Sequence, residues 1–302
     1  MSYNVENLDA RLKNYLETNG VEVISKAYFQ NDSSKYFDIQ TGVKGGLEVP
    51  IITLDSEVVL QDGSTCQFNA QGSDTFTNRT LKGTPIAVNK EFCAKDLMSS
   101  WAHAETKANA IGQGEALPFE AQLINNNLEA IACKNGNLIW EGNKENGDLL
   151  DGIFTISTFA NGCQEMVADS DETVYDLCKR LYMSWDNTNA WKPIIFMSLN
   201  NFKQLIQNLV DLNLYHVFEK QDDSYSIMLP GFDCQIVGLA DIKDQSILMT
   251  PKENLVMGVD AENDNEVVDF WFDKSDRTFK FVVEYALSVN YRIPSLVTIM
   301  QK

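Results

Sequence analysis

The sequence predicts an α+β fold made of two layers, a long helix over long antiparallel strands, with a compact α/β unit inserted along the chain. Three stretches carry that expectation. Residues 117–141, LPFEAQLINNNLEAIACKNGNLIWE, put Phe119, Leu123, Ile124, Leu128 and Ile131 on one face at helical spacing. Residues 266–273, EVVDFWFD, and 277–293, RTFKFVVEYALSVNYRI, read as two strands about the turn Lys274, Ser275, Asp276. Residues 150–257 alternate helical and extended patterns. A one-sided helix and a one-sided hairpin bury their apolar faces by stacking on each other.

Taken in order, residues 5–17 hold Val5, Leu8, Leu12, Tyr15 and Leu16 in a weak amphipathic pattern, which predicts a short helix ending near Gly20. Residues 30–46 are polar and end in GVKGG; Gly42, Gly45 and Gly46 leave the backbone free and predict a hinge. An N-terminal arm this poor in core residues is expected to be ordered by something else, such as a neighbouring subunit. Residues 48–60, EVPIITLDSEVVL, are β-branched and extended; Asp62-Gly63 reads as a turn. After CQFNAQ and a second loop at 72–74, TFTNRTLKGTPIAV is extended again. A hairpin this polar is marginal alone and leans on another surface. That surface is either intermolecular or the plain edge of a β-domain.

Residues 91–108 predict a short helix or two around Leu97 and Trp101, with His103 structural or at the surface, and 109–116 a loop. Pro118 suits a first helical position. The long helix covers roughly 16–23 residues, about 25–35 Å. Gly136 either ends it or leaves it to continue imperfectly to Trp140. In the α/β unit a helix is expected at about 170–186, with Asp171 and Glu172 in its first turn, where acids suit the dipole. A strand follows at 193–198, with Pro193, Ile194, Ile195 and Phe196 as the buried central strand. Next come a helix at 199–213 capped by Asn200-Asn201 and strands at 224–229, 233–239, 246–250 and 254–259. The final strand runs about 15 residues, roughly 50 Å.

Composition narrows the chemistry. Over 302 residues the net charge is −19 and the sequence pI about 4.4. A surface this negative repels phosphate and anionic membrane, so a sequence-independent grip on either is not expected. No apolar run reaches the roughly 18–20 residues that span a bilayer. The first sixteen residues are too polar for a signal peptide, so synthesis in the cytosol is expected. Six cysteines show no C-x-x-C spacing and read as reduced, mostly buried thiols. The two histidines, His103 and His216, form no metal or triad motif. Phosphate loops, nucleophile elbows and catalytic Cys–His pairs are missing too. Asp260–Glu266 resembles a calcium loop, but Asn265 and Trp271 stand where such a loop needs Gly and Glu, so it reads as a solvated acidic turn. Asp222-Asp223 is a polar hairpin tip, and Trp185 and Trp191 are packing residues. No catalytic residue, metal or cofactor is expected.

Together the order of the pieces resembles the major capsid proteins of tailed bacteriophages, those with the Hong Kong 97 fold. TFTNRTLKGTPIAVNKEFCAKDL (75–97), 117–143, LLDGIFTI (149–156) and PKENLVMGVDAENDNEVVDFWFDKSDRTFKFVVEYALSVNYRIP (251–294) carry the resemblance. It is nearest to capsid proteins of phages of Bacteroidetes-type hosts. The resemblance implies an N-terminal arm (1–46) and an extended β-hairpin loop lying over a neighbouring subunit (47–90). It implies a peripheral domain with a spine helix (91–149) and long C-terminal strands (258–302), and an axial α/β domain (150–257). It further implies a non-enzymatic subunit of an icosahedral virion, made in the bacterial host cytoplasm. That subunit self-assembles into pentamers and hexamers around double-stranded DNA without sequence-specific contact. Portal, scaffold or decoration proteins are the further partners implied; no membrane is. The residues expected at inter-subunit contacts are Gln61, Asp62 and Gly63 at the loop tip and Gly45 and Gly46 at the hinge. An encapsulin-like nanocompartment shell and an enzyme built on 150–257 are the alternatives.

Overall fold

The computed structural model describes residues 5–46, 48–56, 74–100, 119–169, 171–185, 191–214, 219–220, 225–228, 234–243, 246–260 and 267–301. Helix α1, Val5–Phe29, is one helix of 25 residues rather than a short one, and it runs through Gly20. Leu8, Leu12 and Leu16 lie four apart and are buried in the main core, as is Tyr28. The helix packs on the long helix and on strand β12 (Val267–Asp273). Its Asp9 carboxylate accepts the Phe272 N–H at 3.0 Å, and the Tyr28 hydroxyl donates to the Ala286 carbonyl at 3.1 Å. The expectation that a neighbour must order this segment is therefore corrected. Its leucine seam is enough, since each such side chain is worth about 1.5–3 kcal/mol on burial.

A five-stranded sheet underlies the helices. Strand β13, Thr278–Tyr291, is its axis at 14 residues. β4 (Thr84–Cys93) pairs antiparallel along Thr278–Leu287, β12 along Thr278–Glu284, and β11 (Leu255–Val259) along Leu287–Tyr291. β1 (Asp38–Gln40) adds parallel to β11. Along β13 every odd position from Phe279 to Tyr291 is buried in the main core, the period-two pattern of a half-buried strand. The turn residue Arg277 takes φ 58°, and the Asp273 carboxylate accepts from the Ser275 N–H at 2.9 Å and from Lys280 Nζ at 2.6 Å.

The long helix, α2, spans Phe119–Glu141; Pro118 lies outside the described residues. Ala121, Ile124, Leu128, Ile131, Asn135 and Ile139 form its buried stripe. Gly136 does not end it. A Cβ there would stand 2.4 Å from the Asp241 carboxylate, so the glycine lets helix and carboxylate meet. A helical stretch over 94–100 buries Ala94 and Leu97, while Trp101 and His103 fall outside the described residues.

The second sheet has seven strands in the order β5 (Gln164–Val167), β14 (Thr298–Gln301), β10 (Ser246–Thr250), β6 (Ile194–Ser198), β9 (Gln235–Leu239), β8 (Ser226–Met228), β7 (Glu219–Lys220). β6 sits fourth of the seven, as the apolar run at 193–196 predicts. Its side chains alternate between two cores. Ile195 and Met197 meet helices α3 (Val174–Ser184) and α4 (Leu199–Asp211) in one. Phe196 meets Tyr36 and Trp140 in the other, at ring distances of 5.3 and 5.2 Å. The caps differ from expectation. α4 is capped by Ser198, whose hydroxyl accepts the Asn201 N–H at 3.0 Å, instead of by Asn200-Asn201. α3 opens with a Thr173–Asp176 capping box, so Asp171 and Glu172 precede its first turn.

Three strands do not follow the expected boundaries. β14 belongs to the seven-stranded sheet although it follows the long strands, and β1 belongs to the five-stranded sheet although it lies in the arm. β11 straddles the expected boundary at 257 and likewise joins the five-stranded sheet. Of the described cysteines, Cys163, Cys178 and Cys234 are buried, and Cys93 and Cys133 are exposed. Trp185 packs in the helix-covered core, and Trp191 against it.

Candidate functional site

The third sheet is a lone hairpin. β2 (Glu48–Ser56) and β3 (Asp74–Lys82) pair antiparallel over nine rungs, from Glu48↔Lys82 to Ser56↔Asp74, about 30 Å at the usual rise. No other described strand hydrogen-bonds to either. Gln61, Asp62 and Gly63 at the expected tip lie outside the described residues. Gly45 and Gly46 are at the root. Gly46 takes φ +80° and donates its N–H to the Gly83 carbonyl at 2.8 Å; Gly45 would place a Cβ 3.4 Å from that of Pro85. Gly83 completes this crossing, because a Cβ on it would lie 2.3 Å from the Lys44 carbonyl oxygen. The sequence reading passed over Gly83. Its only signal is a glycine breaking an extended Thr-rich run.

The root is seated on the body by a small core of its own: Val43, Ile51, Leu81 and Val256. Beside it Arg79 Nε donates to Asn290 Oδ1 at 3.1 Å, and Asn290 Nδ2 donates to the Thr80 carbonyl at 2.7 Å. The Arg79 guanidinium lies over the Tyr291 ring, 4.1 Å from its centroid. The Tyr291 hydroxyl donates to the Ile156 carbonyl at 2.9 Å, and Cys163 Sγ lies 3.2 Å from it. Asn290 and Tyr291 are more than two hundred positions from Arg79 in sequence, so no local pattern points to them.

Several large apolar side chains face solvent. Phe159, Val167 and Met183 are each more than 70% exposed, at 78, 73 and 75%. A cleft of about 770 Å³ lies between β4 and the second half of α2, walled by Ile86, Val88, Ile131, Leu138, Leu149 and Tyr285.

The titratable groups that are displaced from their ordinary values are held by structural partners. Burial pushes the Asp241 carboxyl up; it accepts Ser33 Oγ–H at 2.5 Å, and Trp140 Nε1–H donates to the same Ser33 oxygen at 2.9 Å. The Lys280 ammonium and the Ser275 donors hold Asp273 well below the carboxylate range. Burial raises the Tyr285 hydroxyl to about 12, although it donates to Asn135 at 2.7 Å. Among the described residues no group of three or more His, Cys, Asp or Glu side chains could hold a metal ion. No helix among them is long and apolar enough to cross a membrane.

No family model matches the chain, and no curated protein does. Solved structures do match. A chain of the satellite phage P4 procapsid, which includes a size determination protein, aligns over 98% of this chain and 97% of its own, with TM-score 0.63 and 10% identity. A chain of the structure of Microbacterium phage Oxtober96 aligns over 90% of this chain and 90% of its own, with TM-score 0.56 and 11% identity. The holo-SrpI encapsulin complex of Synechococcus elongatus aligns over 89% of this chain and 85% of its own, with TM-score 0.56 and 9% identity. The fold is the Hong Kong 97-type capsid fold. In that fold the long helix lies on the five-stranded sheet, the seven-stranded unit stands beside it, and the lone hairpin leaves from their junction.

Proposed function

We propose that this chain is the structural subunit of a phage head, a major capsid protein that self-assembles into pentamers and hexamers enclosing double-stranded DNA. One observation carries the reading: the alignment with a procapsid chain covers nearly the whole of both chains. The lone hairpin and the solvent-facing Phe159, Val167 and Met183 supply surface that pays for itself only when copies meet. Shell contacts are individually weak and are multiplied by the number of copies. The subunit is made in the host cytoplasm, resides in the virion, and performs no catalysis. Portal, scaffold or decoration proteins are its further partners, and its phage infects a Bacteroidetes-type host. The loop tip at Gln61, Asp62 and Gly63 reaches a neighbouring copy, with Gly45 and Gly46 as its hinge.

The test is size and dependence on the loop. The expressed chain should sediment as megadalton particles that are closed shells in electron micrographs. Replacing 58–66 with a short Gly-Ser turn should leave a folded subunit that does not assemble. Intact shells from that variant would count against the loop's role. A small oligomer with turnover, abolished by a point change within 150–257, would replace the whole reading by an enzyme. The encapsulin neighbour favours a second reading, a nanocompartment shell. Particles that carry a stoichiometric protein in place of DNA would select it.

A further inference from the structure

Among the described side chains, those that hold the hairpin to the body lie near its root. Among the described side chains, the Ile51↔Arg79 rung is the outermost that touches the body. Five more rungs, Ile52↔Asn78 to Ser56↔Asp74, continue beyond it. At the usual rise they form a lever of about 17 Å before the tip. The small core of Val43, Ile51, Leu81 and Val256 is apolar and without direction, so it can hold the root while the hairpin tilts over it. The backbone crossing offers a pivot, since Gly46 and Gly83 are bonded to each other and neither carries a side chain. Direction must come from a contact with geometry, and the root has one. Arg79 presents a planar guanidinium flat on the Tyr291 ring while its Nε reaches Asn290.

We infer that Arg79 is a latch: stacked on Tyr291 and bonded to Asn290, it sets the direction in which the β2–β3 hairpin leaves the body, and its release lets the hairpin pivot at the Gly46–Gly83 crossing. The inference rests on the shell reading for its consequence, because the hairpin's direction then fixes where the next copy sits and so how strongly the shell curves. Both halves of the latch are built to stay in one state. Arginine remains charged at any ordinary pH. Tyr291 is fully buried, and its hydroxyl is tied to Ile156 and Cys163, in the segment that leads into β5. The ring that receives Arg79 is thus also the ring that fastens the entrance of the seven-stranded unit. One side chain registers hairpin, five-stranded sheet and seven-stranded sheet against one another.

Hydrogen exchange on the full chain, held dilute as unassembled subunits, tests the latch apart from assembly. In Arg79→Ala, and equally in Tyr291→Leu, peptides over 48–51 and 79–82 should exchange about tenfold faster. Peptides over β6 and β10 should keep their wild-type rates in Arg79→Ala. Tyr291→Phe, which keeps the ring face and loses only the hydroxyl, should leave the hairpin root at its wild-type rate. Unchanged root exchange in Arg79→Ala would overturn the latch, as would equal loosening of β6 and β10, the mark of a merely structural residue. Electron microscopy then tests the consequence: Arg79→Ala should give shells of mixed size where the wild type gives one. Uniform wild-type-sized shells from a variant with a loosened root would overturn the link to curvature. Failure of the wild type to form shells would instead sink the shell reading and leave the exchange result standing.

Discussion

Gly136, Ser33, Trp140 and Asp241 meet at one point although they come from three distant parts of the chain. The glycine admits the carboxylate, the serine donates to it, and the indole N–H donates to the serine. Gly136→Ala should cost about 1–3 kcal/mol, the usual range for an overpacked interior, read as a lower denaturant midpoint at unchanged slope. Asp241 gives a pH signature. Its folded pKa is raised by burial above the unfolded value, so the folded chain holds that proton more tightly. Its charged form therefore weakens the fold at neutral pH, and the penalty fades as pH falls from 7 towards about 4. The stability difference between wild type and Asp241→Asn should narrow over that window; a pH-independent difference would contradict the assignment. Asp273 works the other way. Its pKa is depressed, so its contribution is present above the ordinary carboxylate value and is lost below it. None of the Ser33–Trp140–Asp241 group was legible in the sequence. Helical periodicity shows that a glycine interrupts a pattern and is silent about what stands opposite it.

At the scale of elements the sequence was read best where period and burial agree. The alternation in 277–293 and the stripe in 117–141 are what a half-buried strand and a one-sided helix require, and both elements stand where they were expected. α1 was read short because Gly20 looks like a stop. A glycine inside a helix costs only about 1 kcal/mol, and packing at Tyr28 beyond it outweighs that. Leu12→Ala should therefore lower the stability of the subunit by about 2–5 kcal/mol in chemical denaturation, as for any fully buried leucine. A loss under ~0.5 kcal/mol would show that α1 does not belong to the core. The hairpin was recognisable as two polar strands, yet nothing local told that Arg79 would find Tyr291. That partnership exists only once β13 is in place.

Across the whole molecule, charge and connectivity matter more than any single contact. Copies that each carry −19 repel as they approach. Salt screens that repulsion over a distance near 10 Å at 0.1 M. Raising ionic strength from about 20 to about 200 mM should lower the concentration at which particles first appear by light scattering; an opposite trend would mean that attractive ion pairs dominate the contacts. Domain limits were the least legible feature, because composition reveals segments but not which sheet a strand will join. β14 makes the point. It fits between β5 and β10, an interior place in the seven-stranded sheet, although the β12–β13 hairpin separates it from β10 in the chain. During translation β5 and β10 must therefore wait, each with a bare edge, until the ribosome has delivered that hairpin and the strand after it. A chain cut short before residue 298 would leave both edges open to strangers, and quality-control proteases would meet it as a sticky, unfinished product.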